Sequence, residues 1–411
     1  MQNKIRKIYG PSYVKDFICT PAKCEETCCK SWIINVDLNT YKKYTQIDDP
    51  EISSLMKKHL KKYAVIIKSL YGLITLDQNL YCPFLNENKL CKLQQKYGES
   101  YLSLVCDTFP RISNIVDSKV ERSLSPACPV AARTVLFSNE KISLQEFDEP
   151  EEKRLHVRTK FYTNRKILFK RNRSLFYQIR NFSIGLIQDR KHTLCDRLLL
   201  LGVFCKITDK YINFGTKKQI ESTINSFPEL ASNESFLEQL SGITPVYTIQ
   251  LGLLKQLSEM AGTRKSIPDY VECYEEFIKG IGYTEDISET KIITQYEQVF
   301  KNYFEPFIAE HESIFENYIV NWIYINLFPF VRNNSLYDSF VLLVLHYSLI
   351  KLHLIGMSGF HKGLTTELVV KLIYSFSRTF EHNQQYFTNV LKLLKKHKFN
   401  DLTYMSILIK N

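Results

Sequence analysis

The sequence predicts a mainly α-helical protein, in which a loop-rich, cysteine-rich domain over residues 1–145 precedes a helical domain over residues 146–411. Three observations carry this. Eight of the eleven cysteines fall within the first 128 residues. From about Glu151 onward, apolar residues recur at helical spacing in one segment after another. No run of alternating apolar and polar residues is long enough to signal a large sheet, and Gly is scarce, with 14 residues in 411.

The clustered cysteines are Cys19, Cys24, Cys28, Cys29, Cys82, Cys91, Cys106 and Cys128. They lie in four short stretches: Cys19 to Cys29, "YCPFLNENKLC", "LVCDTFPR" and "SPACPVAAR". Pro83, Pro110, Pro126 and Pro129 sit beside them and stiffen these loops. One hairpin is expected here, with Leu73 to Leu76 and Leu80 to Phe84 flanking a turn at Asp77 to Asn79. In the second part, "HTLCDRLLLLGVFCKITDKYI", "YDSFVLLVLHYSLIKLHLIG" and "TTELVVKLIYSFSRTFEHNQQYFTNVLKLLKKH" read as helices, the last with Thr365 or Thr366 as its N-cap. Cys195, Cys205 and Cys273 lie in apolar surroundings and read as small buried hydrophobes.

Hydrophobic residues make up 45% of the chain and charged residues 24%, which allows a large core and argues against disorder. The N-terminus carries basic residues but no apolar run of secretory-signal length. The longest apolar segment, "FVLLVLHYSLI" (Phe340 to Ile350), is too short to span a bilayer and reads as a buried helix. A cytoplasmic protein with no membrane partner is expected, its cysteines present as thiols or thiolates. The formal charge is +11 and unevenly spread: Glu151 to Ile220 holds 17 Lys/Arg against 5 Asp/Glu. This basic segment is either a solvated helix face or a docking surface for an acidic partner. No recognised nucleic-acid module accompanies it, which argues against nucleic acid.

Eight thiols drawn together in a reducing compartment are an oxidation hazard unless something holds them. Thiolate is a soft ligand suited to zinc, copper(I) or iron–sulfur clusters. No C-x-x-C pair occurs, so zinc ribbons and fingers fit poorly. The C-x-x-x-C-x-x-C spacing of a cluster-binding loop is also missing, since Cys24 and Cys28 are followed at once by Cys29. Ligands must therefore come from several loops. Four thiolates complete a 4Fe–4S cubane or a tetrahedral zinc site. Softness and the missing zinc spacing favour iron–sulfur over zinc or iron alone, with all eight cysteines as the candidate set.

Three motifs carry a resemblance: the Cys19 to Tyr44 run with its double cysteine and Trp32, the "CPFL" element that runs on to Arg111, and "SLSPACPVAAR". Together they resemble the flagellin lysine-N-methylase family, and the N-terminal half also resembles a cysteine-rich family described as zinc- or iron-chelating. "IRNFSIGLIQDRKHTLCDRLLLLGVF", "FENYIVNWIYINLFPF" and "YSFSRTFEHN" extend the resemblance over nearly the whole chain. It implies N-methylation of flagellin lysines with S-adenosylmethionine as donor, together with a cysteine-bound iron–sulfur or metal centre. One departure is Val130, where the family pattern leads us to expect an acidic residue.

Methyl transfer to a lysine amine needs a neutral amine, a sulfonium held in line, and a proton acceptor. Glu381, His382 and Asp107 are the candidate acceptors. Trp32, Arg111 and Arg378 are the candidates for donor binding. Arg111 is suited either to an anionic cluster or to a carboxylate. Arg378 and His382, four residues apart, would share a helix face. "IGMSGFHKG" reads as a helix–helix connection, and no strand followed by G-x-G-x-G is present. Asn317 and Asn321 read as a buried amide pair, and His59 as part of a basic helix surface. Two competing functions are a non-catalytic zinc- or iron-binding protein, which predicts bound metal without methyl transfer, and a nucleic-acid adaptor, which predicts steeply salt-dependent binding.

Overall fold

In the computed structural model, which describes residues 4–67, 70–163, 173–244, 246–262, 267–284, 286–331, 335–381 and 384–410, the chain divides into two units. One comprises residues 1–131 with 144–161, the other residues 132–143 with 162–411.

The first unit contains more sheet than the sequence led us to expect. Its strands are β1 (Ile5–Pro11), β2 (Ile34–Val36), β3 (Leu60–Ile67), β4 (Leu70–Ile74), β5 (Arg111–Val116), β6 (Lys119–Leu124), β7 (Leu144–Pro150) and β8 (Val157–Phe161). Five form a mixed sheet in the order β7-β1-β6-β5-β8, and three form an antiparallel sheet in the order β2-β4-β3. The larger sheet hides from a pattern search for a physical reason. Its central strands bury polar side chains, with Ser113 and Asn114 on β5 and Glu121, Arg122 and Ser123 on β6 all inside, so apolar–polar alternation is absent. β1 also pairs in parallel with β6, more than a hundred residues away, through Ile8 opposite Val120.

The expected hairpin is displaced. β4 pairs with β3, not with Leu80 to Phe84. The turn at Asp77 does form, its Oδ1 accepting from the N–H groups of Asn79 and Tyr81 at 2.9 Å each, but Tyr81 then bridges to Lys30. Two helices cover the smaller sheet. Leu38–Thr45 is capped by Asp37, which accepts from Thr40 N–H at 3.0 Å, and Pro50–His59 by Asp49, which accepts from Ile52 N–H at 2.9 Å. Ile34, Val36, Tyr44, Ile52 and Phe84 form the core beneath them. His59 is not on a basic surface: it is buried, with Nδ1 2.9 Å from the Thr75 carbonyl.

The described residues of the second unit are helical. The helices that matter here are α1 (Phe176–Ile187), α2 (Leu194–Phe214), α3 (Pro268–Gly280), α4 (Ser313–Ile325), α5 (Leu336–His361), α6 (Thr366–Phe376) and α7 (Leu402–Ile409). α5 is buried from Leu336 through Gly359, and α2, α3, α4, α6 and α7 pack around it. It is the one helix among the described residues long and apolar enough to cross a membrane, and its apolar window is wholly covered by protein. "IGMSGFHKG" belongs mostly to α5 rather than to a connection. Its glycines allow a close crossing, since a Cβ on Gly280 of α3 would fall 1.7 Å from the Gly356 carbonyl oxygen. α5 ends where Lys362 turns left-handed at φ 59°. Thr365 caps α6, its Oγ1 accepting from Leu368 N–H at 3.3 Å.

The polar groups of "ENYIVNW" hold the second unit together. Asn317 donates to the carbonyls of Leu136 (3.0 Å) and Ser138 (2.7 Å), and Gln188 donates to that of Ile142 (3.2 Å). These bonds tie residues 132–143 to the helices. Glu316, 1% exposed, accepts from Arg197 Nη1 at 2.6 Å and from Arg190 Nη2 at 2.8 Å. Arg197 is fully buried and also donates to the Ile187 carbonyl and to Glu312.

The basic segment is not one exposed helix face. Val157–Phe161 is a strand, residues 164–172 lie outside the described residues, and Arg173 and Arg180 are buried. The Arg180 guanidinium lies over the rings of Phe176 (4.7 Å) and Tyr324 (4.6 Å). Of the three scattered cysteines, Cys205 and Cys273 are buried as expected, whereas Cys195 is half-buried, its Sγ 3.6 Å from the Ile409 carbonyl oxygen.

Candidate functional site

All eight clustered cysteines fall in the first unit. Local structure brings Cys29, Cys82, Cys91 and Cys106 onto one core. The Cys82 N–H donates to the Cys29 carbonyl at 2.8 Å, which ties the double-cysteine loop to the "CPFL" loop. Leu85 bridges to Cys91 and closes that second loop on itself. Ser103 caps the short helix Leu104–Thr108, its Oγ accepting from Cys106 N–H at 3.3 Å, which fixes the position of Cys106. Cys82, Cys91, Cys106 and Cys29 all pack on the core under the smaller sheet.

Cys28, which is itself exposed, lies within electrostatic reach of five of the other thiols. A negative charge there acts on Cys19, Cys82, Cys91, Cys106 and Cys128, and Cys128 also senses Cys24. Burial pushes the thiols of Cys82, Cys106 and Cys128 up to about 12, and those of Cys19 and Cys91 up as well. Left alone, these groups are neutral thiols. A soft metal would displace their protons, and metal binding here would be coupled to proton release. The donor chemistry fits an iron–sulfur cluster or zinc. The geometry does not pick out the ligands, because among the described residues no three His, Cys, Asp or Glu side chains are grouped as the ligands of one ion.

Trp32 is half-buried beside the cluster. Its indole N–H donates to the Cys28 carbonyl, and its ring lies 5.2 Å from that of Phe109. It holds the double-cysteine loop against the turn between the helix Leu104–Thr108 and β5.

Next to the cysteines lies a cleft of about 390 Å³ in the same unit, lined by residues that include Asp107, Arg111, Arg122, Glu149, Glu152 and Arg154. Asp107 follows Cys106 in the chain, and Arg111 senses the charge of Cys19. Glu149 accepts from Arg122 at 2.5 and 2.9 Å and from Arg6 at 2.7 Å. Arg154 donates to the Leu102 carbonyl at 2.6 Å and lies 3.6 Å from Asp107. Burial pushes the Asp107 carboxyl up despite Arg154. Burial first, and then the neighbouring Arg122 guanidinium, lowers Arg111. Two of the sequence candidates, Asp107 and Arg111, therefore share one cleft. His156 also lines it and was not singled out from the sequence, since a lone histidine in a basic segment gives no signal.

The other candidates lie in the second unit. Arg378 and Glu381 occupy a π-helical turn, Ser377–Glu381, which interrupts the predicted long helix. Arg378 lies 5.1 Å over Tyr374, and Glu381 accepts from Ser377 Oγ at 3.3 Å. His382 lies outside the described residues, so the expected Arg378–His382 face has no described counterpart.

Comparison with known proteins agrees with the motifs. The FliB lysine N-methylase C-terminal domain matches residues 180–408. The lysine-N-methylases of Salmonella choleraesuis strain SC-B67 and Salmonella typhimurium strain LT2 are each 25% identical over 391 residues, which is 91% of this chain and 92% of theirs. The flagellar biosynthetic protein FliU of Salmonella muenchen is 34% identical over 140 residues, or 33% of this chain and 80% of that protein. No solved structure matches significantly. The domain match covers more than half of the sequence, and the chain belongs to the FliB lysine-N-methylase family.

Proposed function

We propose that this protein methylates lysine side chains of a flagellar protein, flagellin, using S-adenosylmethionine as donor and a cysteine-ligated iron–sulfur centre in its first unit. The observation that carries the reading is the match to lysine-N-methylases along 91% of the chain, which spans both units. The FliU relative's name supports a flagellar substrate. Convergence of the thiols around Cys28 supports the metal centre.

In the reaction the carbon–sulfur bond of the sulfonium breaks as the lysine nitrogen–carbon bond forms. The donor leaves as a neutral thioether, and the amine gives up one proton. That proton passes to solvent water. Trp32, bonded to the Cys28 carbonyl, would limit water at a cluster held by the double-cysteine loop. A cluster held by thiolates from several of these loops would join stretches that are distant in sequence.

The test is an intact-mass spectrum of flagellin after incubation with anaerobically purified protein and S-adenosylmethionine. Methyl-sized increments on lysine are expected. Their absence, from protein that retains its metal, overturns the reading in favour of a non-catalytic metal-binding protein.

A further inference from the structure

The cleft beside the cysteines is built from charge, in a way that selects one class of ligand. Its lining carries four cationic side chains and four carboxylates. Half of these pair with one another. Glu149 is taken by Arg122 and Arg6, and Arg154 is held by a backbone carbonyl with Asp107 and Asp37 at 3.6 and 3.5 Å. Glu99, Glu152 and Lys153 lie outside these pairs, and so does Arg111, which differs from the other two lining guanidiniums in this. Among the described residues no carboxylate lies within 4.0 Å of its guanidinium. Its one hydrogen bond is a long one, 3.4 Å from Nη2 to the Phe17 carbonyl. The buried Phe17 ring, 5.0 Å away, backs the guanidinium and leaves its planar fork without an anion.

We propose that this cleft is an α-amino-acid site, in which Arg111 takes the carboxylate as a fork and Asp107 faces the ammonium. A bare anion would meet Asp107 and Glu152 as well as Arg111, and a bare cation would meet Arg111 and Arg122. A zwitterion suits both halves of a balanced lining. The volume of about 390 Å³ falls within the range of small-molecule clefts, about 300–1,000 Å³. Asp107 adjoins Cys106 and Arg111 senses Cys19, so a ligand anchored here has its amino-acid end beside the thiol cluster. Resting on the methyl-transfer reading, that ligand is the methyl donor, gripped by its amino-acid end.

The experiment is calorimetric titration of the full-length, anaerobically purified protein with S-adenosylhomocysteine and with methylthioadenosine, which shares the nucleoside but lacks the amino acid. On the wild type, S-adenosylhomocysteine should bind at least about 30-fold more tightly. Arg111→Gln should remove most of that difference while leaving methylthioadenosine unchanged, which also shows that the variant is folded, and Arg111→Lys should restore part of it. Equal wild-type affinities for the two ligands, or undiminished S-adenosylhomocysteine binding in Arg111→Gln, overturn the amino-acid site and leave methyl transfer standing. Failure of both ligands to bind the wild type also overturns the site. Flagellin methylation measured on the same sample then decides whether the donor reading falls with it.

Discussion

Arg197 and Arg111 show how differently the two units treat the same side chain. Arg197, in the helical unit, is fully buried, and its guanidinium meets Glu316, Glu312 and the Ile187 carbonyl. Arg111, in the sulfur-rich unit, is partly buried and meets a ring and one distant carbonyl. Removing a charge from water is costly unless partners replace the water. The helical unit supplies those partners from its own sequence, whereas the first unit leaves the position open to a ligand. The cysteines repeat the contrast. Burial pushes Cys273 up to about 12 just as it does Cys106, so burial alone does not distinguish them. Their neighbours do: Cys106 senses Cys28 and Cys91, while Cys273 senses Lys371 and Glu276. Convergence of like groups marks the site, and isolation marks the scaffold.

The largest expected effect is on activity. Cys28→Ala should lower flagellin methylation by at least about 100-fold while leaving the unfolding of the helical unit unchanged, because outer partners and ligands of metal sites are worth about 10–100-fold or more each. Equal losses in Cys28→Ala and Cys205→Ala would erase the distinction between the units. The next effect is on stability. Glu316→Ala leaves Arg197 buried without its main partner and should cost about 3–5 kcal/mol in denaturant unfolding.

A third test uses pH. His353 is buried in the helical unit, with Nδ1–H donating to the Leu349 carbonyl at 2.7 Å and Nε2 accepting from Tyr270 Oη–H at 3.0 Å. Burial lowers it to about 4 from 6.5, so the folded protein keeps it neutral where the unfolded chain takes up a proton. Its contribution is present above pH 6.5 and is lost as pH falls toward 4, amounting to about 3 kcal/mol. His353→Gln should flatten that part of the stability–pH curve, and an unchanged slope would contradict the assignment. Gly280→Ala should cost about 1–3 kcal/mol, because the added methyl meets the Gly356 carbonyl. The smallest effect is expected from Glu367→Gln, which removes an exposed pair with Arg133 at 3.6 Å and should change unfolding by less than about 0.5 kcal/mol.

The sequence revealed what depends on neighbours along the chain. The helices of the second unit followed from apolar spacing, and the cap at Thr365 from residue type. The cysteine-rich stretches marked the unit in which the site lies. What remained hidden depends on partners far apart. The five-stranded sheet was invisible because Glu121, Arg122 and Ser123 are buried on both of its faces. The cleft was only half seen: Asp107 and Arg111 were singled out, but Glu152 and His156 enter it from a segment that read only as charge, and Glu149 from β7, a strand the sequence did not reveal. "IGMSGFHKG" read as a connection because glycine usually breaks helices, whereas here it lets two helices touch.

The central claim is that the first unit's thiols hold a soft metal centre, and it is tested most directly by iron, zinc and acid-labile sulfide content per chain of anaerobically purified protein. The account predicts iron with sulfide in the wild type, retained in Cys205→Ala and lost in Cys28→Ala. A wild-type protein free of metal and sulfide that still methylates flagellin would contradict it.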